Sequence, residues 1–356
     1  MIRSFIAATG SCLPEVVRPN ADFGAAHFFS KAGTRLPQEP TALLHQFQAI
    51  TGIAARRYAR PDQVASDLGF LAAQQALTSS GIDAETLDYL IVAHNFGDSA
   101  PGTNRMEQVP SLASRIKARL AIENPNCVAY DLAFGCPGWV EAVIQANYYL
   151  RSGDAKRCLV IGTETLSRVV DPHDRDTLLF SDGSGAVILE GRPSVDAGIL
   201  AHHTQTYAHQ YAGLLHMGQS YDPAYPERAD RFMKMEGRQL YEFALRHVPA
   251  VIKQALDKAQ VPLSQVRKVL IHQANEKMDV AILERLFQLY GEAPPDLGLM
   301  PMTISWLGNS SVATVPTLLD LLLQGQLPGH QVQPGDHVVL ASVGAGMNIN
   351  AVVYRF

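Results

Sequence analysis

Residues 127–150 read CVAYDLAFGCPGWVEAVIQANYYL, and two periodicities meet inside them. Residues 127–132 form a β-branched and aromatic run that fits a buried strand, whereas from Trp139 onward apolar residues occupy nearly every face of a helical wheel. A buried strand leading into a buried helix is a unit of an α/β architecture. Between them lie Phe134-Gly135-Cys136-Pro137-Gly138: a glycine for the turn, a cysteine at the junction, and a proline where the first helical turn needs no N–H. Cys136 is therefore expected at a helix N-terminus, where the helix dipole and unpaired N–H groups favour thiolate over thiol, as a sulfur nucleophile requires. A buried cysteine serving as a small hydrophobe is the plainer alternative. Partners elsewhere in the chain decide between the two.

With 356 residues and 47% hydrophobic composition, the chain is long enough for two domains or one duplicated one. A net charge of −5 gives no global pull toward nucleic acid or an anionic membrane. The N-terminal apolar run is interrupted by Gly10 and Pro14, too short for a signal peptide or a membrane span. Cysteines at 12, 127, 136 and 158 form no CxxC pair, so they are read as free thiols in a reducing compartment, with cytoplasm as the expected location.

Outward from the opening stretch, strands are expected at 2–8, 87–93, 157–161, 186–189, 198–207 and 269–271, alternating with helices such as 62–80, closed by Gly81, and 111–122. The second part repeats the first. Residues 87–94 answer 266–272, 131–153 answer 304–325, 157–165 answer 336–344, and 185–190 answer 348–354, all in the same order. In this register Cys136 falls opposite Asn309 or Ser310. The boundary is placed near residue 190, giving halves 1–190 and 191–356.

His272 follows a strand in Ile271-His272-Gln273-Ala274-Asn275, and strand ends of α/β sheets carry function. A neutral imidazole there could serve a substrate oxygen near Cys136; otherwise it is a histidine satisfied by backbone. Asn309, in Gly308-Asn309-Ser310-Ser311, stands at a helix start, where capping is the ordinary duty. Val343-Gly344-Ala345-Gly346-Met347 reads either as an oxyanion-binding turn or as a tight hairpin. The duplication places Cys136 and Asn309 at matching positions, with His272 and the Gly344–Gly346 turn on adjoining strand ends, so the four are expected to make one site. GxSxG, HExxH and GxxxxGK[ST] are absent, and His202, His203, His209 and His216 lack the carboxylate or cysteine spacing of a metal site.

With these residues assembled, the chain resembles the thiolase-fold condensing enzymes, most closely the β-ketoacyl-acyl-carrier-protein synthase III family. The likeness runs over nearly the whole length through Phe134-Gly135-Cys136-Pro137-Gly138, Ser181-Asp182-Gly183-Ser184-Gly185-Ala186, Lys234-Met235-Glu236-Gly237-Arg238, His272-Gln273-Ala274-Asn275, Gly308-Asn309-Ser310-Ser311 and Gly344-Ala345-Gly346. It implies a five-layered αβαβα fold of two pseudo-duplicated halves and a homodimer. It also implies a Claisen condensation in two half-reactions, without metal or organic cofactor. Cys136 would take an acyl group from a CoA or carrier-protein thioester, with N–H groups of Cys136 and Ala345 as the oxyanion hole. His272 and Asn309 would bind the carbonyl oxygen of a malonyl thioester as it loses carbon dioxide.

Departures from the family pattern refine these expectations. Gly135 and Pro137-Gly138-Trp139 replace the usual small residues around the cysteine. The cofactor-entry Trp and Arg become Gln46 and Ile50, and a basic docking position becomes Glu242, while Lys277 keeps its charge and Arg56, Arg57, Arg246 and Lys253 could compensate. Acyl carrier protein is thus the expected donor. Val109 replaces the aromatic gate, beside an enlarged loop at 96–107, which would widen an acyl pocket at a dimer interface. Gly344, Gly346, Val109, Lys277 and Arg56 are accordingly the expected substrate-contacting set. The Phe-Gly-Cys-Pro-Gly-Trp surround also resembles members that make dialkylresorcinol-type lipids. Two other readings stay open: an acyltransferase that moves the group from Cys136 without condensation, and a catalytically silent partner subunit.

Overall fold

The computed structural model of the chain describes residues 1–227, 229–293 and 296–356. A five-stranded sheet runs in the order Ile2–Cys12, Asp182–Pro193, Arg157–Thr165, Tyr89–Ala93, Val128–Leu132. A four-stranded sheet runs Gly198–Thr206, Asn348–Arg355, His337–Gly344, Val266–Ile271. Position by position the two share order and direction, with two antiparallel pairings followed by a parallel one. Among the described residues the edge strand Val128–Leu132 has no counterpart; the residues that match its end form the short helix Ile304–Leu307.

Helices Gly138–Ser152 and Thr314–Leu323 lie between the two sheets. Their all-round apolar character follows from that position: a helix with a sheet on each side has no face left for water. Trp139, Val143, Ile144, Leu318 and Leu319 form one core with residues of both sheets, including Val160, Leu189, Leu340 and Val352. The outer face of the first sheet carries Ala65–Ser80 and Leu112–Arg119, and that of the second carries Gly237–Ala259 and Glu276–Tyr290. The stack is helix, sheet, helix, sheet, helix: the five-layered αβαβα arrangement of the thiolase fold.

Among the boundaries that differ from expectation, two have plain physical reasons. The first strand extends to Cys12 because it pairs along its length with Asp182–Pro193. The helix expected from 62 begins at Ala65, because the Asp67 carboxylate accepts the Val64 N–H at 2.7 Å and sets the start there. Its end at Gly81, φ 65°, is as the sequence indicates. Among the described residues no helix is long and apolar enough to cross a membrane.

A buried ion cluster holds the loops above the sheets. The Lys234 ammonium, on strand Phe232–Met235, lies 2.6 Å from Asp171 and 3.0 Å from Asp174, with all three side chains nearly sealed from water. Asp171 also accepts the Tyr221 N–H and the Ser220 hydroxyl. The polar loop that carries Arg175 and Asp176 is thereby fastened to the Phe232–Met235 strand. Replacing Lys234 with Met leaves two buried carboxylates without their cation, so Lys234→Met is expected to destabilise the fold by about 3 kcal/mol, read as a lowered midpoint in denaturant or thermal unfolding.

Candidate active site

Cys136 precedes helix Gly138–Ser152, with Pro137 as the capping residue. Gly135 takes φ 70° and packs on the turn at 345: a side-chain carbon there would sit 2.6 Å from the Ala345 carbonyl oxygen. A side-chain carbon on Gly344 would sit 2.6 Å from the Cys136 backbone nitrogen. Both glycines are needed because two backbones meet where no methyl group fits. Asn348 donates to the Ala345 carbonyl at 2.9 Å and Asn350 to the Pro137 carbonyl at 3.0 Å, so the strand Asn348–Arg355 fastens the cysteine loop.

The Cys136 sulfur borders the cavity but lies deep in the molecule. Burial pushes its thiol up to about 11, against the pull of the Ser311 hydroxyl, which donates to sulfur at 3.1 Å, and of the backbone N–H groups of Cys136 and Ala345. The expectation of a resting thiolate is therefore corrected: desolvation outweighs the hydrogen-bond donors at the sulfur, and the thiol is the resting form.

His272 follows the strand Val266–Ile271 and donates its backbone N–H to the Ala341 carbonyl at 2.9 Å. Its ring is 3% exposed, and burial drives it down to about 4, with the Ser311 backbone pulling the other way. The ring is neutral at pH 7, and Nδ1 has no hydrogen-bond partner. The rest of the motif positions it. Gln273 donates to the Pro301 carbonyl and accepts the Thr303 and Ile304 N–H groups, while Asn275 caps helix Glu276–Tyr290. Asn309 is held by its own backbone, its N–H to the Leu179 carbonyl at 2.9 Å and its carbonyl to the Ser181 N–H at 2.8 Å. Its Oδ1 accepts the Ser311 N–H at 2.9 Å, which leaves the amide N–H groups for a ligand.

Cys136, His272, Asn309, Gly344 and Ala345 line one cavity of about 210 Å³ whose remaining wall is largely apolar, with Met217, Met233, Met235 and Met278 among it. A second cavity of about 330 Å³ adjoins it at Met235, Leu240, Ala274, Met278 and Asn309 and reaches the surface at Gln46, Ile50, Arg238 and Tyr241. Together they form a path from solvent to sulfur.

Other expected substrate contacts fall elsewhere. Arg56 is fully buried, donating to Asn20 Oδ1 and the Arg18 carbonyl, with its guanidinium 4.9 Å over Phe23; it is a structural arginine and not a docking charge. Val109 is 90% exposed and does not line the cavity of its own chain. Gly346, at φ 76°, shapes the turn without lining the cavity. Lys277 is exposed on the helix start, in a surface hollow with Gln48, Gly52 and Glu284. Three residues that the sequence reading passed over also belong to the site: Ser311, Asn95 and Glu164. The signal for Glu164 was available, as a carboxylate following the apolar run of strand Arg157–Thr165, which is buried from Cys158 onward.

Residues 130–208 match the family model of 3-oxoacyl-[acyl-carrier-protein] synthase III, and residues 256–356 that of its C-terminal part. A beta-ketoacyl-[acyl-carrier-protein] synthase III of Vibrio vulnificus is 32% identical over 99% of this chain and 99% of its own length. The chain belongs to the 3-oxoacyl-[acyl-carrier-protein] synthase III family. A second member, from Pectobacterium atrosepticum, is also 32% identical over 99% of both chains. The crystal structure of the synthase III from Aquifex aeolicus superposes with a TM-score of 0.80 at 28% identity, covering 99% of this chain and 100% of that one.

In this family member the buried imidazole carries a pH signature. Its value falls from the ordinary 6.5 to about 4, so below pH 6.5 the unfolded chain takes up a proton that the folded ring refuses. The stability tied to His272 is lost progressively as pH drops from about 6.5 to about 4. Between pH 7 and 5, His272→Gln is expected to lose about 2 kcal/mol less stability than the wild type, measured by denaturant unfolding at the two pH values.

Proposed function

We propose that this condensing enzyme takes an acyl group on Cys136 from a thioester and then joins it, with loss of carbon dioxide, to a malonyl-type unit on acyl carrier protein. The observation that carries the reading is the convergence of a sulfur, a neutral imidazole and a side-chain amide at the end of one path from the surface. In the first half-reaction the Cys136 sulfur attacks the thioester carbonyl, and the backbone N–H groups of Cys136 and Ala345, which already face the sulfur, hold the oxyanion. In the second, the malonyl carbonyl oxygen takes hydrogen bonds from the His272 ring, in the tautomer with N–H toward the cavity, and from the Asn309 amide. Carbon dioxide leaves, the enolate attacks the acyl-Cys136 carbonyl, and the Cys136 thiolate departs. A neutral His272 suits this step, since it stabilises the enolate by donation without transferring a proton to it.

The remaining parts of the reading have narrower support. Two halves divided near residue 190 agree with the shared strand order of the two sheets. A homodimer is supported by the open edge strand Val128–Leu132, with Val128 48% exposed, and would place Val109 at a neighbour's cavity. Lys277, beside the mouth, is the docking charge for a carrier protein. Gln46 and Ile50 at the entrance offer no ring or guanidinium, but Arg238 and Tyr241 line the same mouth, so the acyl donor is a thioester of either carrier protein or CoA. Four unpaired cysteines suit a reducing cytoplasm.

Incubation with an acyl thioester followed by malonyl-carrier protein tests the assignment. Intact-mass measurement is expected to show acyl-Cys136 in the wild type and none in Cys136→Ala. His272→Ala is expected to acylate near the wild-type rate while losing carbon dioxide release by at least about 100-fold. Acylation without carbon dioxide release in the wild type would mark a non-condensing acyltransferase, and no acylation a silent subunit.

A further inference from the structure

Ser311 was not part of the site read from the sequence, yet its N–H and its hydroxyl both reach the reacting groups. Its N–H donates to Asn309 Oδ1 at 2.9 Å, its backbone interacts with the His272 ring, and its hydroxyl donates to the Cys136 sulfur at 3.1 Å. It holds φ 53°, a region that a non-glycine residue enters at a cost and that clusters at functional sites. The segment reaches this position because Gly162 lacks a side chain: a carbon there would sit 2.5 Å from the Val312 carbonyl oxygen.

Behind the hydroxyl stands a second set of contacts. Asn95 Nδ2 donates to Ser311 Oγ at 2.8 Å and to Glu164 Oε1 at 2.6 Å, and the Asn95 backbone N–H donates to the same Glu164 oxygen at 2.8 Å. Both amide hydrogens of Asn95 are thus committed, which settles which way its amide faces. Ser311 Oγ, already accepting from Asn95, has one hydrogen to give. Among the described residues the acceptor for that hydrogen is the Cys136 sulfur. Glu164 is fully buried, its Oε2 has no partner, and burial raises it to about 8, so at pH 7 it is chiefly the neutral acid. A carboxylate charge beside the sulfur would oppose thiolate formation; the neutral acid orients Asn95 without that penalty.

We propose that Ser311 is a further catalytic residue, whose hydroxyl donates to the Cys136 sulfur as it becomes anionic, and that Asn95 and Glu164 are positioning residues that direct this donation. The proposal rests on Cys136 being the nucleophile. In the step concerned, the Cys136 S–H bond and the donor's acyl C–S bond break, a new acyl C–S bond forms on Cys136, and the proton ends on the departing thiol. The same hydroxyl then serves the sulfur when the condensation releases it as thiolate. Among the described residues Glu164, His272 and His216 on the cavity wall are the titratable groups about the sulfur, with Asp182 behind Glu164, and no lysine or arginine lines the cavity, so the donors to sulfur are the hydroxyl and two backbone N–H groups.

The test is the pH profile of Cys136 alkylation by iodoacetamide, followed by peptide mass spectrometry on the full chain, which needs no acyl substrate. Ser311→Gly suits the positive φ and removes only the hydroxyl, whereas Ser311→Ala keeps the backbone restraint. In both, the profile is expected to move to higher pH, with alkylation at pH 8 about tenfold slower, and the pH profile of single-turnover acylation is expected to move with it. Asn95→Ala, which leaves the hydroxyl but frees its rotor, is expected to move the profile the same way by less. Cys127 and Cys158, both buried, report on folding: unchanged resistance to alkylation shows that the variants are intact. A Ser311→Gly profile that coincides with the wild type overturns the proposal, and an unmoved Asn95→Ala profile removes Asn95 and Glu164 from the positioning role. Failure of the wild type to form acyl-Cys136 would instead strike the functional reading, since alkylation reports on the sulfur and its donors alone.

Discussion

Two stretches of backbone meet in this molecule at a distance that no side-chain carbon tolerates. Gly135 lies on the Ala345 peptide, and Gly344 lies on Cys136. The contact sets the rest of the site, because it brings the loop ahead of one central helix against the end of a strand in the other sheet. The N–H of Ala345 then faces a sulfur more than 200 positions away in the sequence. Asparagines on the Asn348–Arg355 strand take up the carbonyl groups that the contact leaves over, as buried backbone acceptors require.

The electrostatics follow from depth. Desolvation holds the cysteine as thiol, the imidazole as neutral ring and Glu164 chiefly as neutral acid near pH 7. A site assembled from such groups carries little net charge at rest and presents preset donors where negative charge develops during reaction. That arrangement suits thioester chemistry, in which each half-reaction creates an oxyanion or enolate that must find hydrogen bonds already in place. The apolar, methionine-bearing wall of the cavity supports it by excluding water, and methionine adapts its shape to an acyl chain more readily than branched residues do.

The architecture was legible because it repeats. Matching strand and helix patterns on either side of the chain's middle lead to two like sheets, and the all-round apolar wheel of residues 139–150 leads to a helix covered on both sides. Cys136, His272 and Asn309 were legible because each stands at the end of a strand or the start of a helix, where an α/β fold exposes side chains to a common cleft. Arg56 was misread because a guanidinium looks alike in sequence whether it meets solvent or, as here, a buried carbonyl, an amide and an aromatic face. Ser311 and Asn95 were passed over because small polar residues carry no periodic signal.

By itself the sequence determined the alternation of strands and helices, the repeat of one half in the other and the identity of the groups able to do chemistry, since these follow from local periodicity and from the side chains themselves; the five layers were implied by the family resemblance, and the strand order came from the tertiary structure. Only the tertiary structure decided their charge state and their company. Desolvation is a property of everything packed around a group, so the thiol that the helix end would have ionised rests protonated. The hydroxyl that faces it comes from a residue 175 positions away, and no local pattern encodes a contact across that separation.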